Sequence, residues 1–164
     1  MILQCTKKVL DKLKIKDVNS YEDIDNELEK WHCNLIKYGR DNAILITHDT
    51  TLFSFFLYGF KADDFKHFDE IVSQNIFKIL FNIGFEQKKV ELVLETLQNI
   101  SYTKSSNRSV LAAMNQVMVA VDSFLERDRE GIYELNHHIN ERIHKAIDYD
   151  EPIERFEKLL DSMI

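Results

Sequence analysis

The strongest constraint on the fold is the apolar run LFSFFLYGF at residues 52–60. As a strand over Leu52–Tyr58, it would place its side chains alternately on the two faces of a sheet. One face would carry Phe53, Phe55 and Leu57, and the other Leu52, Ser54, Phe56 and Tyr58. Because neither set is polar enough to face water, the strand must be buried on both faces or covered by helices. We therefore expect it to be the central strand of its sheet.

Four further segments favour β-structure. His32–Tyr38 and Asn42–His48 are separated by Gly39-Arg40-Asp41, which is hairpin spacing with a glycine in the turn. Ile2–Cys5 and Ile100–Lys104 are also predicted strands, and the second should lie beside the first or at an edge. Together these segments predict an α+β fold: a small, mainly antiparallel sheet of four or five strands, covered by helices, with a helical C-terminal part.

Apolar residues at three- and four-residue steps, bounded by capping residues, predict the helices. Six helices are predicted in this way. The first follows Thr6, the second runs from Asp63 or Asp64 to Gly84, and the third covers Glu86–Gln98. The fourth begins near Ser106 or Asn107, the fifth covers Tyr133–Ala146, and the sixth begins at Pro152. The last helix is expected to turn inward Ile153, Phe156, Leu159, Leu160 and Met163. A sequence similar to a capping box also predicts a short acidic helix over Tyr21–Glu29.

The composition fits one globular domain. A chain of 164 residues with 45% hydrophobic and 30% charged residues is long enough to bury a core. With one proline and four glycines, it has no linker-like segment. We predict a single domain over residues 1–164, with the sheet and its covering helices in residues 1–105 and a helical part packed on it in residues 106–164.

The charge is negative and unevenly distributed. The formal net charge is −7, and residues 106–164 hold 7 Lys+Arg against 12 Asp+Glu. An acidic chain is a poor general binder of duplex nucleic acid, because that affinity depends on cations that neutralise phosphates. The lysines within residues 7–16 form either a local basic face or simply a hydrated helix surface. No stretch has the pattern of a signal peptide or a membrane span, so we expect a cytoplasmic protein that does not bind membranes.

The two cysteines are predicted to be reduced, buried thiols, and they lie close together if their strands are neighbours. A nucleophile–base pair can be written for Cys5 with His32 or for Cys33 with His48. Such a pair needs spatial adjacency and an orienting group, which spacing alone does not supply. No Walker-type loop, G-x-S-x-G elbow or CxxC pair occurs in the sequence.

Four residues of the predicted helix Tyr133–Ala146 could share one stripe: Glu134, His137, Glu141 and His144. The stripe lacks the HExxH arrangement of a strong metal motif. Internal Glu–His contacts are therefore the simpler interpretation, and we predict neither a metal nor a cofactor.

Several blocks resemble a bacterial family that is catalogued only as a domain of unknown function. Thr103, Asn107-Arg108-Ser109-Val110 and Met114-Asn115 resemble its T-x-x-x-N-R-S-V-x-x-x-M-N signature. Further similar blocks are MILQCTKK at residues 1–8, WHCNL at residues 31–35 and TLFSF at residues 51–55. His48 departs from the family pattern, in which an asparagine-like residue is expected before the turn. The resemblance implies no established activity.

The start of the helix near Asn107 is the best candidate for a functional site. A first helical turn has unpaired backbone N–H groups and the positive end of the helix dipole, and Arg108 adds a full charge, so an anion could bind there. In the simpler alternative, Asn107 and Ser109 cap the helix while Arg108 pairs with an acidic side chain of the same fold. The predicted ligand-binding residues are Thr6, Lys7, Asn34, Thr103, Asn107, Arg108, Ser109 and Asn115.

Three functions are compatible with these patterns. The leading hypothesis is a non-enzymatic binding or regulatory protein whose partner is a small anion or a protein. The first alternative is a small enzyme that acts on a phosphate- or carboxylate-bearing substrate through the same residues. The second alternative is an interaction protein whose acidic C-terminal helices bind a basic partner, in the setting of mobile elements or phage conflict. The oligomeric state does not follow from the sequence.

Overall fold

The computed structural model describes residues 1–18, 25–127 and 131–164. The strands are β1 Ile2–Cys5, β2 Lys30–Tyr38, β3 Asp41–His48, β4 Ser54–Phe60 and β5 Ser101–Lys104. The α-helices are α1 Lys7–Leu13, α2 Phe68–Ile83, α3 Gln87–Leu97, α4 Arg108–Arg127, α5 Ile132–Asn140 and α6 Pro152–Asp161. Short 3-10 helices cover Glu27–Glu29, Asp64–His67 and Lys145–Ile147. Most of the predicted acidic helix Tyr21–Glu29 lies outside the described residues.

The five strands form one mixed sheet in the order β4-β3-β2-β1-β5. The two longer ladders, β2 with β3 and β3 with β4, are antiparallel, whereas β1 runs parallel to both β2 and β5. This confirms the α+β prediction and the position of β5 beside β1 at an edge. Tyr38 pairs with Asp41, so the β2–β3 turn contains only two residues, and Gly39 adopts the positive φ of 63° that this turn requires.

The alternation of β4 distributes its side chains over two hydrophobic clusters. Phe53, Phe55 and Leu57 lie in the larger cluster, with apolar residues of α1, α2, α3 and α6. Leu52 and Phe56 lie in the second cluster, with apolar residues of α4 and α5. The predicted two-sided burial is confirmed up to Leu57, but Tyr58 is 50% exposed, and Leu52 sits in the preceding turn with a φ of 60°.

β4 is an edge strand, so the prediction of a central strand is wrong. Two asparagines of α5 occupy the place of a neighbouring strand. Asn136 accepts a hydrogen bond from the Phe56 N–H at 2.8 Å and donates to the Phe56 carbonyl at 2.9 Å. Asn140 makes the same pair of bonds to Ser54, both at 2.7 Å. One helical turn and two strand residues have similar lengths, so the two amides match the backbone spacing of β4.

The helical predictions are confirmed with some changes at the ends. Gly84 ends α2 in the left-handed conformation with a φ of 98°. α5 stops at Asn140 rather than at Ala146, because the chain turns through residues 145–149 and His144 forms an isolated antiparallel bridge with Asp150. In α6, Phe156 and Leu160 are fully buried, but Met163 is 36% exposed rather than inward.

The buried face of β4 gives a first prediction. Phe55 is fully buried and stacks on Trp31 with a ring-centroid distance of 5.4 Å. Phe55→Ala should lower the free energy of unfolding by about 3–5 kcal/mol, because it removes apolar contacts and leaves a cavity. Urea denaturation measures the change. Phe81→Ala is the control, since Phe81 is 69% exposed; equal effects of the two changes would contradict the assigned burial.

The asparagine pair gives a second prediction. Asn140→Ala should destabilise the protein by about 2–5 kcal/mol, because it leaves the buried N–H and carbonyl of Ser54 without partners. Asn82→Ala is a matched control, since the exposed Asn82 donates one bond to Lys78 within its own helix and should change stability by less than about 0.5 kcal/mol. If the two variants unfold at the same urea concentration, α5 does not close the edge of the sheet.

Candidate functional site

The candidate site lies where the parallel strands β1 and β5 end. The Thr6 N–H donates to the Cys33 carbonyl at 3.0 Å, and the Ser105 N–H donates to the Cys5 carbonyl at 2.9 Å. These bonds extend the two parallel ladders by one residue each. α1 begins directly after Thr6 and α4 shortly after Ser105, so both helices start from the same edge of the sheet.

Asn107 caps α4. Its side-chain oxygen accepts hydrogen bonds from the N–H groups of Ser109 at 3.1 Å and Val110 at 3.3 Å. The capping role predicted for Asn107 is therefore present. Ser109 has a different role from the predicted one, because its backbone N–H is one of the two groups that Asn107 caps. The backbone N–H groups of Asn107 and Arg108 bond to no other described residue.

Arg108 is the first residue of α4 and is exposed. Within residues 1–18, 25–127 and 131–164, its guanidinium has no hydrogen-bond or ion-pair partner. The structural alternative requires an acidic partner for Arg108, and these residues contain none in contact with it. The arginine and two unpaired backbone donors are available at one helix terminus.

A polar relay lies beside this terminus. His32 is fully buried on β2, and its Nε2 lies 2.8 Å from Asp49 Oδ1 while its Nδ1 lies 3.0 Å from Ser105 Oγ. Because a carboxylate only accepts hydrogen bonds, Nε2 carries a proton, and in the neutral ring Nδ1 accepts the bond from the Ser105 hydroxyl. Asn107 also donates to Asp49 Oδ1, at a longer 3.4 Å. The relay connects β2, the β3–β4 turn and the start of α4.

Asp49 is held in its charged form. The hydrogen bond from His32 lowers the pKa of Asp49 below its ordinary value, although partial burial opposes the shift. The side chain of Asp49 is 23% exposed, so this part of the relay reaches the surface. A carboxylate that stays ionised fixes the imidazole of His32 in one tautomer and one orientation.

Most of the predicted site residues lie around this relay. Thr6 donates to the Asn34 side-chain oxygen at 3.0 Å, and both are half-buried. Thr103 is also half-buried and pairs with Gln4, which pairs in turn with His32, so the three side chains share one face of the sheet. Thr6, Asn34 and Thr103 therefore lie on the same side of the sheet as His32.

The other predicted residues are more peripheral. Lys7 is exposed in the first turn of α1, and Ser109 is exposed in the first turn of α4. Asn115 is exposed seven residues after Arg108 on α4, hence on the same side of that helix but about two turns away. No described contact connects Asn115 with the relay.

His32, Asp49 and Ser105 are the functional residues that the sequence does not assign to one site. The predicted nucleophile–base pair joins His32 with Cys5, but Cys5 belongs to the large cluster on the opposite face of the sheet. Residue spacing gave no signal that joins these three positions.

His48 has a structural role. Its Nε2 donates to the Glu27 carbonyl at 3.1 Å, and its Nδ1 accepts from the Thr51 hydroxyl at 2.9 Å. The ring packs edge-on against Trp31 at a centroid distance of 4.7 Å. Both ring nitrogens are occupied in the neutral form, and no pairing of His48 with Cys33 is present.

The remaining candidate groups are the two thiols and the Glu–His stripe. The stripe does not lie on one helix, because α5 ends at Asn140, and the buried Nδ1 of His144 has no hydrogen-bond partner among the described residues. Cys5 and Cys33 are adjacent in the β1–β2 ladder and are free, buried thiols, as predicted. His137 Nδ1 lies 3.1 Å from Glu141 Oε2, so one of the predicted Glu–His contacts is present. Over residues 1–18, 25–127 and 131–164, no group of three or more metal-ligating side chains converges, and no helix is long and apolar enough to cross a membrane.

The fold and the site define an α+β domain with a polar relay at the ends of two parallel strands. The chain belongs to the family described as a domain of unknown function, DUF6933, whose model matches residues 2–155. This match confirms the family resemblance of the sequence blocks. Neither a curated protein nor a solved structure matches the chain significantly.

The buried His48 predicts a pH dependence of stability. Burial lowers the pKa of His48 from 6.5 to about 4. The unfolded chain takes up a proton below pH 6.5 that the folded protein accepts only near pH 4, so stability falls as the pH drops through this window. Between pH 7 and pH 5 the loss should be about 2 kcal/mol.

Urea unfolding of His48→Gln at both pH values tests this assignment. The variant should lose most of that dependence, and the remainder reflects His144, whose pKa burial also lowers. His67→Gln is the control, because His67 is exposed. An unchanged pH dependence in His48→Gln would show that another group titrates in this window.

Proposed function

We propose that the chain binds a small phosphate- or carboxylate-bearing ligand where α4 begins, with Arg108 as the principal cation. The main support is that the Arg108 side chain is exposed and has no partner among the described residues. The backbone N–H groups of Asn107 and Arg108, at the same helix terminus, are also unpaired there. A guanidinium and backbone donors at a helix N-terminus are complementary to an oxyanion in charge and geometry.

The surrounding charge supports an anionic ligand. Lys7 and Lys8 are exposed directly after β1, and like Arg108 they have no ion-pair partner in the described part of the chain. Three cations at one end of the sheet contrast with a net charge of −7 for the whole sequence. Such a local concentration of positive charge attracts anions even when the protein as a whole is acidic.

The neutral polar groups supply direction and shape. Ser109, Thr103 and Asn34 offer hydroxyl and amide groups around the same strand ends. The Asp49 carboxylate would repel an anion if it were free, but it accepts hydrogen bonds from His32 and Asn107. We infer that these bonds direct its charge away from the ligand, and that Asn115 contacts only a ligand long enough to extend along α4.

Thermal melts in the presence of anions test this function. Phosphate or sulfate at ten times Kd should stabilise the protein by about 1.4 kcal/mol, which raises Tm by roughly 3–6 °C at this chain length. Arg108→Ala should keep the Tm of the wild type without anion, because the side chain is exposed, and should lose the anion-induced increase.

Arg142→Ala is the matched control, since Arg142 is an exposed arginine that follows α5 rather than β1 or β5. It should retain the full anion effect, and chloride at equal ionic strength should have little effect on either protein. An anion effect that survives in Arg108→Ala, or none in the wild type, would contradict the proposed site.

A further inference from the structure

We propose that Ser105 is a nucleophile with His32 as its general base, and that the chain hydrolyses esters whose acyl part carries a carboxylate or phosphate group. The ester activity goes beyond ligand binding, while the choice of an anionic acyl group rests on the site proposed at Arg108. The relay contains a hydroxyl, an imidazole and a carboxylate in hydrogen-bonded sequence, the set of groups from which serine hydrolases are built.

The proton positions suit this chemistry. Asp49 holds the proton on Nε2 of His32, so the lone pair of Nδ1 points at Ser105 Oγ from 3.0 Å. General-base catalysis needs a basic nitrogen within hydrogen-bond distance of the nucleophile and a third group that orients the base. Either ring nitrogen can serve as the base, provided that the carboxylate holds the other.

The backbone position of Ser105 is also appropriate. Ser105 follows directly after β5 and precedes α4, so the nucleophile lies in a strand-to-helix connection. Ser105 is only half-buried, and Ser106 after it is exposed. The N–H group of Ser106 bonds to none of the described residues and can stabilise an oxyanion, as the N–H of the residue after the nucleophile does in serine hydrolases.

A second histidine–hydroxyl pair shows what a purely structural arrangement looks like in this fold. His48 and Thr51 are both buried, and Thr51 also accepts a bond from the Phe53 N–H at 3.3 Å. The other nitrogen of His48 bonds to a backbone carbonyl rather than to a carboxylate. The Ser105–His32–Asp49 relay differs in having a carboxylate and in reaching the surface at both ends.

The proposed reaction consumes only the ester and water. Ser105 Oγ attacks the ester carbon while its proton passes to Nδ1 of His32, and the carbonyl oxygen becomes an oxyanion. The C–O bond to the alcohol breaks, and the alcohol leaves with the proton from His32. Water then attacks the acyl-serine ester, again giving a proton to His32. Collapse of this second intermediate releases the carboxylic acid and returns the proton to Ser105.

Labelling with a fluorophosphonate tests the nucleophile directly. The wild-type protein should form a covalent adduct that peptide mass spectrometry assigns to Ser105. Ser105→Ala should abolish the adduct, and Asp49→Asn should slow its formation by about 100-fold or more, because the amide no longer fixes the tautomer of His32. Ser73→Ala is the control, since Ser73 is a half-buried serine on α2 and should label at the wild-type rate.

Steady-state hydrolysis of p-nitrophenyl hemisuccinate and p-nitrophenyl acetate tests the substrate class. The wild type should prefer the anionic ester, and Ser105→Ala should reduce kcat/KM for both esters by about 100-fold or more. Arg108→Ala should remove the preference but retain hydrolysis of the neutral ester. Circular dichroism melts of each variant establish that it is folded before its rate is interpreted.

The outcomes separate this proposal from the binding function. No adduct at Ser105 in a folded wild type, or labelling that is unchanged in Asp49→Asn, would overturn the nucleophile whether or not phosphate raises Tm. Conversely, Ser105 labelling in a protein that phosphate does not stabilise would support the nucleophile and refute the anion site. Equal hydrolysis of both esters by the wild type would overturn the proposed substrate class.

Discussion

Burial of both faces of β3 and β4 is the constraint on which the rest of the structure depends. A strand that contacts water on neither face must find partners for every polar group it carries. Thr47 and Ser54, adjacent on these strands, bond to each other at 2.9 Å. His48 remains neutral between a hydroxyl and a backbone carbonyl. The buried polar side chains that these two strands carry are therefore paired rather than absent.

The same constraint explains the role of α5. An apolar edge strand with free backbone groups would be unstable in water and prone to pair with other chains. Asn136 and Asn140 satisfy the N–H and carbonyl groups of Phe56 and Ser54, and they also bond back to their own helix at Ile132 and Asn136, both at 2.8 Å. Side-chain amides can imitate a neighbouring strand, because each contains one donor and one acceptor group with the geometry of a peptide.

At the opposite side of the sheet, the strands β1 and β5 are short and end in polar loops. Here the structure combines a buried histidine, a partly exposed carboxylate and a half-buried serine with an unpaired arginine at a helix terminus. The parallel pairing of β1 with β2 and β5 places the serine and the arginine, which follow β5, near the histidine on β2, while the carboxylate comes from the β3–β4 turn. Ligand sites in sheet proteins commonly occupy such positions.

The sequence by itself determined the local structure: the alternation of Phe53, Phe55 and Leu57, the left-handed cap at Gly84 and the capping of α4 by Asn107. Each of these depends on residues a few positions apart. The tertiary structure alone decided that β4 is an edge strand and that His32 meets Ser105, which lies 73 residues away. Periodicity indicates that a side chain is buried, but it does not specify which distant group becomes its partner, because that choice depends on how the strands pair.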